Sequence, residues 1–273
     1  MVTYGFANAF AKPLSQKFGA AELLFLRGIV TSAVLAAASI ASYHYLQNWL
    51  AVIATLFLGV AGYIPVLAFM HGIKNSRLGI VVPIAGTAPL ITVFLAFLFL
   101  NVQINLVQWI AIGLVIFANI AVSFDFKNWR QSSAFQLSSG IPFALIAALG
   151  WGLFYFFLVP STKTLGPWLS ALLVEVGVTL AAGFHVWLRS KKISLRDIFH
   201  RSIVGNGILT CLGTVAFTIG VRYYNLGIVA ALANSTALIS TLLGALLFKE
   251  RLHIKEKIAV AIMILGIAII SFA

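Results

Sequence analysis

The sequence predicts an all-α integral membrane protein of ten transmembrane helices, built as two five-helix repeats of inverted topology. Three observations predict it. Of 273 residues, 62% are hydrophobic and 9% charged, against about 25% charged in a soluble domain. With a mean hydropathy of +1.06, so much apolar surface has to face a bilayer. The apolar residues fall in ten runs, most of them close to the roughly 20 residues that cross a membrane as a helix. Finally, the chain repeats itself at a spacing of 147 to 148 residues.

The repeat is clearest where residues 72–124 lie without a gap on residues 220–272, with 15 identities in 53 positions. Gly72 meets Gly220, Leu78-Gly79-Ile80-Val81 meets Leu226-Gly227-Ile228-Val229, and Ser123-Phe124 meets Ser271-Phe272. Nearer the start the shift is 147: Tyr4-Gly5 lies on Trp151-Gly152, Pro13 on Pro160 and Gly19 on Gly166. One residue is therefore gained between Gly19 and Gly72. Each repeat holds five helices. Five is odd, so the second repeat enters the membrane from the opposite side, an arrangement that alternates access around a midplane site.

Taken in order, the apolar runs are 1–11, 20–41, 49–70, 78–100, 106–124, 137–159, 167–188, 203–221, 226–248 and 258–273. The first is short. Three residues precede Tyr4 whereas about fourteen apolar residues precede Trp151, so this run reads as a half-helix or, preferably, as a helix that begins upstream. Pro83 and Pro89 predict a kink in the fourth helix; the ninth has no proline at the matching places. The first repeat covers 1–125, residues 126–136 form a linker, and the second repeat covers 137–273, all within one membrane domain.

The net charge is +12. Fifteen of the 18 Lys and Arg fall in alternate loops, while the other loops hold only Lys163 and Arg222. This pattern anchors loops to an anionic cytoplasmic face rather than binding nucleic acid, and it puts both termini outside. Cys211 is the only cysteine, which excludes an internal disulfide. No metal-ligand cluster, nucleophile–base pair or GxxxxGK[ST] loop is present. The sequence thus predicts no enzyme, no metal, no cofactor and no ATP drive within the chain. No charged region precedes the first apolar run as it would in a signal peptide.

Two ionisable residues sit inside predicted spans. Glu175 lies about nine residues into the seventh helix, where a charge costs a few kcal/mol unless it faces a cavity or a partner. Its repeat counterpart is Arg27 at a shift of 148 or Gly28 at 147. Glu175 reads as a site for a substrate amine or a proton, or as a structural partner of Arg27. Arg27 is alternatively a fork for an anionic group. Tyr4 and Asn8, and likewise Trp151 and Tyr155, share helix faces at a spacing of four, and they suit a cavity for a flat or amphipathic ligand. Asn119 and Asn206 read as amides bridging helices. Asn234, beside Ser235 and Thr236, reads as a candidate ligand-binding amide. Glu22 at the start of the second helix, and His185 near the end of the seventh, read as interfacial and capping groups. Glu250, Arg251, Lys255 and Glu256 read as an orientation anchor.

Three stretches carry a resemblance to a known family: the aromatic-Gly pair of each first helix (Tyr4-Gly5, Trp151-Gly152); the junction MHGIKNSRLGIVVPIAGTAPLI with its counterpart IGVRYYNLGIVAALANSTALIS; and the hinge LLGALLFKERLHIKEKIAVAIMILGIAII. By these the chain resembles the EamA-type ten-helix branch of the drug/metabolite transporter superfamily. The resemblance implies a multi-pass protein of a bacterial or archaeal cytoplasmic membrane that moves small metabolites, usually without ATP. Glu250 stands at the family's hinge acid, while the first repeat has Val102 there. The family usually has cytoplasmic termini, against the charge count.

The expected function is secondary transport of small organic, amino-acid-like or amphipathic metabolites around a central cavity, with protons as a candidate coupling ion and Glu175, Arg27, Tyr4, Asn8, Trp151, Tyr155 and Asn234 as candidate site residues. The expected partners are a small-molecule substrate and lipid, in a monomer or homodimer. Two alternatives are a nucleotide-sugar or sugar-phosphate exchanger, which needs several cavity cations, and a non-transporting membrane receptor or scaffold.

Overall fold

The computed structural model describes residues 2–100, 105–123, 140–191, 193–224, 226–249 and 254–272. The 126–136 linker, Val102, Glu250 and Arg251 lie outside these residues, as do the side chains of Asn119, Asn234 and Glu256. Everything described is helix, turn or loop, with no strand among the described residues. In chain order the helices are α1 (Val2–Phe18), α2 (Ala20–Ala38), α3 (Trp49–Asn75), α4 (Leu78–Ala85), α5 (Ala88–Leu100), α6 (Leu106–Ser123), α7 (Ile141–Leu188), α8 (Arg201–Tyr223), α9 (Leu226–Leu247) and α10 (Ile254–Phe272). Short 3-10 helices at Ile40–Gln47 and Leu195–Phe199 precede α3 and α8. Five helical stretches among the described residues are long and apolar enough to cross a membrane.

Two glycines turn the chain at equivalent places. Gly19 (φ 102°, ψ 159°) ends α1, and Gly166 (φ 74°, ψ 166°) breaks α7 into limbs 141–165 and 167–188. This backbone region is open essentially to glycine alone. The limbs of α7 fold back on each other: Ser170 Oγ donates to the Ser161 carbonyl at 3.1 Å, whereas nine residues of straight helix span about 14 Å. Helix continues up to these glycines, beyond the apolar runs, so Lys12, Lys17 and Lys163 are helical rather than loop residues.

The fourth predicted helix is two. Proline at 89 has no N–H for the Ala85 carbonyl, and the chain breaks at Gly86-Thr87. Thr87 Oγ1 donates to the Ile84 carbonyl at 2.7 Å, and the Gly86 N–H bonds the Val82 carbonyl at 2.8 Å. These bonds supply partners that backbone groups in a membrane must find within the protein. The counterpart α9 is unbroken.

The contacts between the halves recur with the halves exchanged. A Cβ on Gly5 would fall 2.5 Å from Ile239 Cγ2, and one on Gly152 would fall 2.5 Å from Ile91 Cβ. Beside them Ser240 Oγ donates to the Gly5 carbonyl at 3.2 Å and Thr92 Oγ1 donates to the Gly152 carbonyl at 2.9 Å. Gly59 packs on the Val174 backbone and Gly207 on Val30 and the Arg27 carbonyl. Ser32 Oγ and Thr179 Oγ1, which are 147 residues apart, meet each other at 3.5 Å. Small residues let helix backbones approach this closely in a bilayer, where packing rather than hydrophobicity holds helices together.

Candidate functional site

A cavity of about 140 Å³ lies between the halves, and α1 to α5 and α7 to α9 all contribute to its wall. Tyr4, Asn8, Arg27, Trp151, Tyr155 and Glu175 all line it. Asn234, the seventh candidate, is on α9 with its side chain outside the described residues, while its neighbours Ala233 and Thr236 and its repeat counterpart Gly86 line the wall. Glu175 and Tyr155 share one cavity because α7 doubles back at Gly166.

The lining is mixed. Arg27 from α2, Glu175 from α7 and Tyr4 from α1 are linked through Thr210 and Thr214 of α8, and Asn8 from α1 adds a further polar group. Val66, Phe69 and Met70 from α3 with Trp151, Phe154 and Leu158 from the first limb of α7 supply apolar lining. Trp151 packs on Phe69 with ring centroids 5.1 Å apart, and Tyr155 packs on Phe217 at 4.5 Å.

Arg27 and Glu175 are each 8% exposed, yet they do not form an ion pair within 4.0 Å. Two threonines of α8 hold them instead. Arg27 Nη1 donates to Thr210 Oγ1 at 3.0 Å, and Thr214 Oγ1 donates to Glu175 Oε1 at 2.7 Å. The chemistry is consistent. Thr210 gives its proton to the Asn206 carbonyl at 2.8 Å, which leaves its lone pairs for the guanidinium. Thr214 gives its proton to the carboxylate and takes one from Tyr4, whose hydroxyl lies 2.7 Å away. Arg27 and Glu175 are therefore not in direct contact, and the structural-partner alternative for Glu175 would act only through the threonines. The tight contacts of Gly59 and Gly207 also set the register: Arg27 is equivalent to Val174, and Glu175 to Gly28. The acid and the base are not symmetry mates, and both are held by threonines of the one helix α8.

Thr210 and Thr214 escaped the sequence reading. Their signal was present: Asn206, Thr210, Thr214 and Thr218 recur every four residues and mark one polar face of α8. On α3 the places of Thr210, Thr214 and Thr218 are taken by Gly62, Val66 and Met70. Asn206 does bridge helices, its Nδ2 donating to the Ala7 carbonyl at 2.8 Å.

Two further expectations change. Glu22 is buried rather than solvated, and it accepts from Lys191 Nζ at 2.6 Å. This ion pair ties the start of α2 to the segment after α7. His185 Nδ1 lies 2.7 Å from the Tyr63 hydroxyl, so it joins α7 to α3 rather than capping its own helix.

The sequence matches the EamA-like transporter family over residues 1–124 and again over 138–272. The chain belongs to the EamA-like transporter family. It is a transporter of the drug/metabolite transporter superfamily, built of two repeats and embedded in a membrane by several passes. No curated protein matches this EamA-like chain. Among solved structures, one titled only "Crystal structure of protein" is similar in fold, with a TM-score of 0.67 and 17% sequence identity, over 98% of this chain and 96% of the other.

Proposed function

We propose that this EamA-like protein is a secondary transporter that moves small organic, amino-acid-like or amphipathic metabolites by alternating access around the cavity between its halves. Ten spans in two inverted repeats, in a bacterial or archaeal cytoplasmic membrane, complete the reading. The observation that carries it is the convergence of Tyr4, Asn8, Arg27, Trp151, Tyr155 and Glu175, from α1, α2 and α7, on one cavity whose lining is both polar and apolar. An amphipathic solute satisfies both kinds of lining, since buried polar groups need partners and apolar walls need apolar surface. The exchanged contacts around Gly5 and Gly152 support two equivalent packings of the halves, the condition for opening on either side. Arg27 is the one Lys or Arg among the described residues that line the cavity, which favours this reading over a sugar-phosphate exchanger. Glu175 is the candidate proton carrier, as a carboxylate buried in the cavity wall.

The test is flux in proteoliposomes loaded with amino acids, sugars and nucleosides under an imposed pH gradient. Solute flux that follows the gradient in the wild type and is lost in Glu175→Gln is expected. Flux that ignores the gradient in both proteins would remove Glu175 from the coupling. Absence of flux for every solute, from folded and inserted protein, would overturn transport.

A further inference from the structure

The polar links between helix ends are of two kinds. Those within a half are matched by the repeat. Gln16 Nε2, at the end of α1, donates to the Lys74 carbonyl at the end of α3 at 3.2 Å. At the equivalent places of the second half, Arg222 Nη1 donates to the Lys163 carbonyl. Two links between the halves have no such match. The Glu22 carboxylate, at the start of α2, accepts from Lys191 Nζ at 2.6 Å. The Tyr63 hydroxyl of α3 meets His185 Nδ1, near the end of α7, at 2.7 Å. Both links lie towards the end of the molecule where α2 begins and α3 and α7 stop. At the other end the repeat puts Leu169 in the place of Glu22, Cys211 in that of Tyr63, and Ala37 or Ala38 in that of His185. Leucine and alanine side chains can form neither link. Leu169 is 1% exposed, and Cys211 packs with Leu35, Ala171 and Val215 in an apolar cluster.

We infer that the Glu22–Lys191 and Tyr63–His185 links form a latch, which fastens the halves at one end only and makes the cavity open more readily at the other. The latch rests on the transport reading above and adds to it the side on which the carrier waits. Identical halves would make the two packings related by their exchange equal in energy. A link present in one packing and absent from the other shifts the balance by its own worth. Lys191 is half-exposed, and a pair open to water contributes little. Glu22, however, has 8% of its side chain exposed, and a buried charge left unpaired makes release costly. Tyr63 is equally buried at 8%, so parting it from His185 leaves a hydroxyl without its partner. Met70, towards the end of α3, and its counterpart Thr218, towards the end of α8, line the cavity at its two ends. They are 1% and 0% exposed. The structure is thus shut at both ends, and the latch decides which yields first.

The experiment reads the two ends separately in the full chain. Met70→Cys and Thr218→Cys are made one at a time in a Cys211→Ser background. A membrane-impermeant maleimide is applied to right-side-out and to inverted vesicles, so that each end is reached whichever way the chain is inserted. The latch is loosened by Lys191→Met, at a half-exposed position, and by Tyr63→Phe, which removes only a hydroxyl. Each is expected to raise the labelling rate at Met70→Cys about fivefold or more and to lower it at Thr218→Cys. Lys191→Arg keeps the charge and is expected to hold both rates near those of the unloosened protein, which guards against a general loss of packing at this position. Rates that do not change at either end, or that rise equally at both, would overturn the latch. Counterflow of a solute alongside such unmoved or equally raised rates would leave transport standing without it. Opposite shifts at the two ends in a protein that moves no solute would uphold the latch and overturn transport.

Discussion

Thr214 is the residue on which the polar lining of the cavity turns. It receives the Tyr4 hydroxyl and gives its proton to Glu175, so one methyl-sized change breaks a three-member chain. Hydrogen bonds to charged groups contribute about 1.5–3 kcal/mol. Thr214→Val, close in shape but unable to donate, is therefore expected to weaken binding of a cationic or zwitterionic probe roughly tenfold or more. Thr214→Ser keeps the hydroxyl and is expected to stay within about threefold of the wild type. Ligand titration of tryptophan fluorescence in detergent separates the two. A Thr214→Val protein with wild-type affinity would show that the hydroxyl only satisfies its own helix.

At the scale of the element, the equivalent glycines do what no other residue type can. Gly166 holds φ 74° and ψ 166°, a region that costs an L-residue about 1–3 kcal/mol. Its added Cβ would meet the Tyr45 ring at 3.3 Å, a contact that asks for only a small shift. Gly166→Ala is thus expected to lower unfolding stability by that backbone cost and little more, read as a downward shift of the thermal midpoint in detergent. Gly19→Ala carries the same backbone cost plus an overlap with the Glu22 carboxylate, and it should lower the midpoint further and weaken the Glu22–Lys191 pair. Equal midpoints for Gly166→Ala and wild type would mean that the turn relaxes freely. The α4–α5 break is a different device, set by proline and absent from α9.

For the whole molecule, the exchanged contacts make a quantitative claim. Gly5 on Ile239 and Gly152 on Ile91 are the same crossing seen from each half. Gly5→Val and Gly152→Val are expected to destabilise by similar amounts, about 1–3 kcal/mol each from overpacking, measured as unfolding midpoints. A large effect at one site and none at the other would deny the equivalence. Orientation is a second claim at this scale. If the termini lie outside, as the Lys and Arg distribution predicts, a membrane-impermeant thiol reagent applied to intact cells should label an N-terminal cysteine and spare one at Lys191, in a Cys211→Ser background. The reverse pattern would support cytoplasmic termini.

Much of the architecture was legible because periodic burial leaves a mark on composition. Apolar runs located the helices, though neither the break of the fourth at Gly86-Thr87 nor the helix that continues past Lys12, Lys17 and Lys163, and a shift of 147 to 148 marked the equivalences that Gly5, Gly152, Gly19 and Gly166 display in three dimensions. Glu175 and Arg27 stood out because charges inside spans are costly. The threonines of α8 did not stand out, since a hydroxyl is cheap in a helix that can bond it to its own carbonyls, and only their neighbours reveal them. Glu22 misled for the opposite reason: its place near a helix start suggested water, but Lys191, 169 residues later in the chain, comes to meet it. The sequence by itself determined the membrane, the helices and the repeat, because these follow from local hydrophobicity and spacing. Only the tertiary structure decided that Arg27 and Glu175 face one cavity without touching, because that separation depends on where α8 lays two hydroxyls between helices distant in the chain.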